Sequence, residues 1–382
     1  MGVSQSKTPL VYTQPEGKTC LDEVTEVIML PQFDAKAAAF RDEYKNVQIS
    51  QNVKAQLRDY VSTIASMYRG NPFHNFEHAC HVTMSVSKLL TRIVAPDLEK
   101  QMKRGDFFGR DMASHLHDYT HGITSDPLAV LAIELSALIH DADHRGVSNV
   151  QLIKEEEKMG DLYKGKSVAE QNSLDIAWDL LMSEPFGELR HCLFANQAEL
   201  LRFRQVLVNV VLATDIFDKE LNDLRKQRWS KAFSAVDETL KGKHSDLKAT
   251  IVIEHIIQAS DVAHTMQHWH VYRKWNERLF TELYFAFRAD RMGMDPSVFW
   301  YKGELSFFDN YIIPLAKKLK ECNVFGVSSD EYLNYALQNR AEWEQCGEEI
   351  VEEMMSQLAP ERLDGDKEEE ETDPSLLVGE DE

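Results

Sequence analysis

Apolar residues recur at intervals of three and four along most of this chain. The spacing is clear in Leu128, Leu131, Leu135 and Leu138, and it returns in residues 253–257. Residues three and four apart share one face of an α-helix, so each stripe indicates a helix with one buried side. No segment shows a convincing alternation of apolar and polar residues over the length of a strand. The chain is therefore expected to fold as an all-α protein.

The same pattern predicts one compact domain over residues 26–358. That range shows no internal repeat and no linker, and 43% hydrophobic residues in a 382-residue chain can build a sizeable core. Residues 1–25 are polar and interrupted by proline and glycine, which is typical of a flexible leader. Residues 359–382 are predicted to be a disordered acidic tail that solvates the protein, with a regulatory role as the alternative.

Charge and cysteine usage exclude several classes of protein. A formal net charge of −21 and a pI near 5.1 do not supply the basic surface that a DNA or RNA partner requires. The five cysteines are widely separated and include no CxxC pair, so they are expected to be reduced thiols of an intracellular protein. No feature of the sequence selects an oligomeric state.

The sequence contains neither a transmembrane segment nor a signal peptide. A cytoplasmic location is therefore expected. Gly2, followed by Ser6 and Lys7, fits the pattern for N-myristoylation, although so short a pattern often arises by chance. One myristoyl chain without a basic patch gives only marginal membrane binding. The hypothesis is thus at most a weak peripheral association with membranes.

Five acid and imidazole side chains lie inside or beside apolar helical segments: His74, His78, His140, Asp141 and Asp261. Burying such groups is costly unless each one is paired. A shared divalent metal ion explains them together, and a mixture of nitrogen and carboxylate ligands suits zinc, manganese or magnesium. The alternatives are histidines with structural partners and acids that cap helices.

Four segments resemble the ordered motifs of the class I 3′,5′-cyclic-nucleotide phosphodiesterase catalytic domain. They are residues 74–79 (HNFEHA), residues 140–149 (HDADHRGVSN), Thr214-Asp215 and Ser260-Asp261. The resemblance extends from about Tyr68 to Ala316. It implies a single helical domain of about sixteen helices, of the HD metal-phosphohydrolase kind. It also implies that the protein hydrolyses a cyclic nucleotide, cGMP or cAMP, to the nucleoside 5′-monophosphate in cyclic-nucleotide signalling.

The resemblance implies two divalent metals. Zn²⁺ is expected at the first site and Mg²⁺ or Mn²⁺ at the second, where a hydroxide bridging the metals would attack the phosphorus. Asp141 would reach both metals. The implied first-metal ligands are His78, His140, Asp141 and Asp261, and the residues lining the second site are His144 and Glu170.

By the same resemblance His74 is the general acid that protonates the departing O3′. Its expected partner is Glu282, whose carboxylate would hold the other ring N–H and favour the charged imidazole. Loss of a general acid costs about 10² to 10⁴ in rate.

The expected base pocket departs from the family at one position. Phe307 matches the phenylalanine that stacks on the purine, whereas Glu304 stands where the family carries glutamine. A carboxylate only accepts hydrogen bonds, so an ionised Glu304 suits N1–H and N2–H₂ of guanine, and a protonated one mimics the amide. The sequence slightly favours guanine, and a solvent-exposed Glu304 is the alternative. The other implied pocket residues are His264, Leu279, Leu283 and Ile216.

Two further functions compete with a cyclic-nucleotide phosphodiesterase. The His140-Asp141 pair alone allows an HD-type phosphohydrolase that acts on another nucleotide. The chain could also be a non-catalytic sensor of cyclic nucleotide, although a sensor does not need an activated water.

Overall fold

The computed structural model describes residues 10–34, 48–93, 114, 116–233 and 241–358, and no β-strand occurs among them. The all-α prediction is confirmed. The described residues form fourteen α-helices. The expected number of about sixteen was for the whole domain, which includes residues outside the described ranges. In chain order they are α1 (Gln51–Met67), α2 (Phe76–Thr91), α3 (Pro127–Ile139), α4 (Asn149–Glu155), α5 (Glu157–Leu162), α6 (Val168–Met182), α7 (Gly187–Leu193), α8 (Gln197–Val211), α9 (Lys219–Phe233), α10 (Lys241–Asp261), α11 (Trp269–Arg288), α12 (Pro296–Phe307), α13 (Ile313–Glu321) and α14 (Val327–Leu358).

Helix α3 lies at the centre of the core. Its sequence is apolar on nearly every side, and Ala132, Ile133 and Ala137 are fully buried. A helix that is apolar all round has to be covered by neighbours, and here α2, α8 and α10 pack around α3. Its start is fixed by Asp126, whose carboxylate accepts a hydrogen bond from the Leu128 amide at 3.2 Å. The helix then ends immediately before His140, which places that residue inside the core.

Helices α2 and α10 bring two more polar positions to the same region. The two helices pack against each other. The apolar stripe of α10 is buried at Ile253, Ile256 and Ile257, and the helix ends at Asp261. His78 lies in the first turn of α2, because the Asn75 side chain caps that helix by accepting from the His78 amide at 3.0 Å.

Residues 10–25 differ from the expected flexible leader because they pack on the helical core. Leu10 and Cys20 are buried, and Arg204 of α8 pairs with Glu23 at 2.7 Å. The polar groups of this segment have hydrogen-bond and ion-pair partners on the helices, so a polar segment can pack on the core. Composition alone does not reveal these partners. Residues 1–9, including Gly2, and the acidic tail from residue 359 lie outside the described residues.

A π-helical turn, Phe308–Ile312, connects α12 to α13 without a break in the helix. Pro314 follows this turn and has no amide hydrogen to donate back along the helix, which favours the wider turn. The turn stacks Tyr311 on Phe307, with ring centroids 5.3 Å apart and planes 14° from parallel. Among the described helices none is both long enough and apolar enough to cross a membrane.

Candidate active site

Two histidines and two aspartates converge where α2, α3 and α10 meet. His78 Nε2 lies 3.1 Å from Asp261 Oδ1 and 3.7 Å from Asp141 Oδ2. His140 Nε2 lies 3.1 Å from Asp141 Oδ2 and 3.3 Å from Asp261 Oδ1. Both histidines are buried. The structure thus brings together the four residues that the sequence suggested as ligands of the first metal.

The hydrogen bonds of His140 leave one ring nitrogen available to a metal. Its Nδ1 lies 2.9 Å from the Ala137 carbonyl, so the proton of a neutral ring is held there. The Nε2 atom is buried and has no hydrogen-bond partner of good geometry among the described residues, although the carboxylates of Asp141 and Asp261 lie beside it. An orphaned imidazole nitrogen facing two carboxylates fits a divalent cation, and two nitrogen with two oxygen donors suit zinc.

Electrostatics at these residues also favour a cation. Burial alone would raise the pKa of Asp261, but the His140 and His78 rings beside its carboxylate hold the pKa below the ordinary value. Burial would lower the pKa of His140, but the Asp141 and Asp261 carboxylates together outweigh it and raise the pKa well above the ordinary value. The two carboxylates therefore attract positive charge into the cluster.

His74 lies just before α2 and is held from α11. Glu282 Oε1 pairs with His74 Nδ1, and Oε2 accepts from the Phe73 amide at 2.8 Å and the His74 amide at 2.9 Å. Burial lowers the pKa of His74, but the Glu282 carboxylate outweighs this effect and raises the pKa to about 9. His74 can therefore carry a proton at neutral pH, with Nε2 free to present it. The ring centroids of His74 and His78 are 6.1 Å apart.

The loop after α3 supports His74 from its other side. The His144 ring lies over the His74 ring with centroids 3.9 Å apart, and its Nδ1 accepts from the Gly146 amide at 3.2 Å. Burial, followed by the nearby charge of His74, lowers the pKa of His144 to about 4. Asn71 Nδ2 donates to the carbonyl oxygens of His74 at 3.0 Å and His144 at 2.8 Å. No sequence pattern described above had indicated this contribution of Asn71.

Glu170 is not in the group of close donor atoms that contains His144, although the resemblance implied that both line the second metal site. Asn149 Nδ2 donates to Glu170 Oε2 at 2.9 Å. Burial, followed by the charge of Asp215, raises the pKa of Glu170 to about 8, and Asp141 adds to the effect. Among the described residues, His74, His144 and Glu282 form one group of close donor atoms, and His78, His140 and Asp261 form another. Glu170 belongs to neither group.

Glu304 is only 8% exposed, which rules out the solvent-exposed alternative. The hydroxyl of Tyr272 donates to Glu304 Oε2 at 2.7 Å. Burial raises the pKa of Glu304 to about 7, although hydrogen bonds from Tyr272 and Asn276 oppose the rise. Nothing in the sequence around Tyr272 or Asn276 had marked them as functional. Tyr272, Asn276, Leu279 and Leu283 follow one another at intervals of four, three and four residues, so they share one face of a helix. Grouping the residues of that face could have identified Tyr272 and Asn276 as neighbours of the predicted pocket.

The remaining predicted pocket residues occupy two α-helices, one 3₁₀ turn and one loop. Leu279 and Leu283 are half-buried on α11, and Phe307 is half-buried one turn beyond Glu304 on α12. His264 is buried in the 3₁₀ turn Ala263–Met266, its Nδ1 has no partner, and burial lowers its pKa to about 3. The Phe73 ring lies 5.6 Å from the His264 ring. Ile216 is half-buried in the loop between α8 and α9.

Residues 73–327 match the sequence profile of a family described as 3′5′-cyclic nucleotide phosphodiesterase. The matched range contains all of the residues described above for the donor clusters, and Asn71 lies just before it.

Two relatives illustrate how the chain compares with whole proteins. A probable 3′,5′-cyclic-AMP phosphodiesterase of Caenorhabditis elegans is 25% identical over 285 residues, which is 72% of this chain and 37% of the relative. A cGMP-specific 3′,5′-cGMP phosphodiesterase of Dictyostelium discoideum is 23% identical over 312 residues, which is 80% of this chain and 58% of the relative. The chain therefore spans about a third to three fifths of their lengths.

A solved structure shares the fold. The crystal structure of the phosphodiesterase domain of Salpingoeca rosetta rhodopsin phosphodiesterase superposes with a TM-score of 0.58 at 19% identity. The match covers 89% of this chain and 93% of that one. At this identity the likeness supports the helical architecture alone.

Proposed function

The chain belongs to the 3′5′-cyclic nucleotide phosphodiesterase family, and on that premise we propose that it hydrolyses a 3′,5′-cyclic nucleotide to the nucleoside 5′-monophosphate. The observation that carries this proposal is the His74–Glu282 pair beside a buried cluster of two histidines and two aspartates. A proton donor next to a cation site is what the cleavage of a phosphodiester requires.

His78, His140, Asp141 and Asp261 would hold the first divalent cation, which the donor set suggests to be Zn²⁺. Asp141 would also face a second cation, Mg²⁺ or Mn²⁺, with Glu170 beside it. Bound divalent cations supply an activated water and neutralise charge on the phosphoryl oxygens. Because His144 lies over His74, its role at the second site is to position the general acid as well as to line the space.

His74 would protonate the leaving O3′ from Nε2. Glu282 accepts from the backbone amide and from the ring of His74, so the carboxylate is fixed in place and the imidazole cannot rotate without losing the ring hydrogen bond. The raised pKa keeps the His74 ring charged before the bond breaks, as a general acid requires. It also favours reprotonation of the ring from solvent after the proton has been donated.

Glu304, Phe307, Leu279, Leu283, His264 and Ile216 would form the base pocket. Phe307 would stack on the purine, and the Glu304 carboxylate would accept from N1–H and N2–H₂ of guanine. We therefore propose cGMP as the preferred substrate when Glu304 is ionised, with cAMP as the alternative. The two named relatives differ in their nucleotide, so the choice rests on this pocket.

The proposal is tested with purified protein loaded with Zn²⁺ and Mg²⁺ and supplied with cGMP or cAMP. The expected product is the 5′-monophosphate, formed only when metal is present, with a chelated sample as the control. Absence of this product from both nucleotides would refute the proposal. In that case, binding without turnover would favour a sensor, and cleavage of a linear nucleotide would favour another HD-type phosphohydrolase.

A further inference from the structure

A chain of four buried polar side chains runs between α11 and α12 and ends at Glu304. Trp300 Nε1 donates to Asn276 Oδ1 at 3.2 Å, Asn276 Nδ2 lies 3.4 Å from the Tyr272 hydroxyl oxygen, and that hydroxyl donates to Glu304 Oε2 at 2.7 Å. Each of the four residues is less than one tenth exposed. Buried polar groups in such a row are restricted to one pattern of hydrogen bonds.

The direction of the hydrogen bonds along these four side chains is fixed by Trp300. An indole N–H can only donate, so the Asn276 amide must present its oxygen to Trp300 and its NH₂ group to Tyr272. The Tyr272 hydroxyl oxygen then accepts a hydrogen bond from Asn276, and the hydroxyl donates its own proton to Glu304. The carboxyl group of Glu304 thus meets only donors from the protein. Among these four side chains, none accepts a proton from Glu304 in this pattern of hydrogen bonds.

Glu304 can exist in both protonation states near neutral pH. Burial favours the neutral acid, whereas the bonds from Tyr272 and Asn276 favour the carboxylate, and the balance brings the pKa to about 7. The titratable groups around this network are the Tyr272 phenol of α11 and, acting on that phenol, Cys346 of α14 and Arg273 of α11. Burial raises the pKa of Tyr272 well above its usual value, so the phenol remains a donor throughout this range.

We propose that Glu304 selects the purine by its protonation state, as an acid that donates to N1 of adenine and as a carboxylate that accepts from N1–H and N2–H₂ of guanine. One residue then gives the enzyme a substrate preference that follows pH. This inference rests on the proposed hydrolysis of cyclic nucleotides. Tyr272 is a positioning residue in it, because it acts on the base through Glu304.

The test is the ratio of kcat/KM for cGMP to kcat/KM for cAMP between pH 5.5 and pH 8.5. Titration of the general acid and of metal-bound groups affects both substrates, so it cancels in the ratio. The ratio is expected to rise about tenfold as Glu304 ionises near pH 7, the change that exchange of one donor for one acceptor produces.

Three variants separate selection from structure. In Glu304→Gln the ratio should lose its pH dependence, because an amide does not titrate in this range. In Tyr272→Phe the carboxylate loses a donor, so the midpoint of the ratio should move to higher pH. Tyr301→Phe is the matched control, since its hydroxyl donates to the Glu344 carbonyl and is outside the network. Its profile should equal that of the wild type.

Each outcome has one meaning. A pH-independent ratio in an active wild-type enzyme, or an unchanged midpoint in active Tyr272→Phe, would overturn the inference and leave the proposed function standing. If neither cyclic nucleotide is hydrolysed at any pH, both the proposed function and this inference fail.

Discussion

Individual histidines in the site are distinguished by the partner of their second ring nitrogen. His140 Nδ1 faces the Ala137 carbonyl, which leaves Nε2 as a lone pair directed at two carboxylates. His74 Nδ1 faces the Glu282 carboxylate, which favours a fully protonated ring. In this site the carbonyl partner of His140 therefore fits the proposed metal ligand, and the carboxylate partner of His74 fits the proposed proton donor. Sequence spacing could not make this distinction.

Replacing His74 with alanine should lower kcat by about 10² to 10⁴, because the leaving oxygen loses its proton donor. The bound metal should remain, since the four proposed ligands do not include His74. Turnover with both cyclic nucleotides and metal content by mass spectrometry check the two parts. His270→Ala is the control, because His270 is exposed. Full turnover in His74→Ala would remove this residue from the mechanism, and loss of metal would make it a ligand.

The pKa of Glu304 also predicts how stability depends on pH. Its value of about 7 in the fold lies above the ordinary 4.5. The folded protein therefore binds more protons than the unfolded chain between these values, and this residue's stabilising contribution is lost as pH rises from 4.5 to 7. Glutamine does not ionise, so Glu304→Gln does not lose stability in this way as pH rises. The Tyr272 hydroxyl can still donate to the amide oxygen of the glutamine.

The unfolding free energy of Glu304→Gln relative to wild type should therefore increase between pH 4.5 and pH 7, by at most about 3 kcal/mol. Urea unfolding followed by circular dichroism at several pH values measures this difference. A difference that stays constant with pH would show that the pKa of Glu304 is ordinary.

Among the elements, the loop between α3 and α4 depends on a glycine. Gly146 has φ of +69°, where a side chain is strained. A Cβ at this position would lie 3.3 Å from Asn71 Oδ1 and 3.6 Å from the Glu282 carboxyl carbon. Both neighbours support His74, through its carbonyl and its ring. The conformation of this loop and the orientation of His74, the proposed general acid, are therefore linked.

Gly146→Ala should destabilise the protein by about 1 to 2 kcal/mol through the strained backbone, and it should also lower kcat by displacing Asn71 or Glu282. Thermal unfolding and steady-state kinetics measure the two effects. Gly293→Ala is the matched control, because nothing lies within 4 Å of a Cβ there and its φ is not positive. Wild-type kinetics in Gly146→Ala would show that the loop does not position His74.

The sequence predicted those elements whose signals are local. Apolar spacing identified α3 and α10, and the polar residues at their ends, His140 and Asp261, do lie together. The π-helical turn before Pro314 and the Tyr272–Asn276 network were not predicted. The helical spacing of Tyr272 and Asn276 does not show which residues of α12 they meet, and Pro314 alone does not specify a wider turn.

At the scale of the whole molecule, the described N-terminal segment joins helices that are distant in sequence. The Ile28 amide donates to the Thr250 hydroxyl on α10 at 2.8 Å, and Arg228 of α9 donates to the Thr25 carbonyl at 2.6 Å. Glu23 meanwhile pairs with Arg204 of α8. Because α10 carries Asp261 at its end, the segment stabilises one of the helices that form the proposed metal site. Its polar composition concealed this role.

Deletion of residues 1–30 should therefore lower the unfolding free energy by at least about 3 kcal/mol. Leu10, Ile28 and Leu30 lose their burial, each worth roughly 1.5 to 3 kcal/mol, and buried Arg204 loses its carboxylate partner. Chemical unfolding measures the change, and deletion of residues 1–9 is the control for truncation itself. Glu23→Ala should give part of the effect in a chain of full length. Equal stability of the two deletions would show that residues 10–30 contribute nothing to the fold, and α10 would then need no support from the N-terminal segment to hold Asp261 in place.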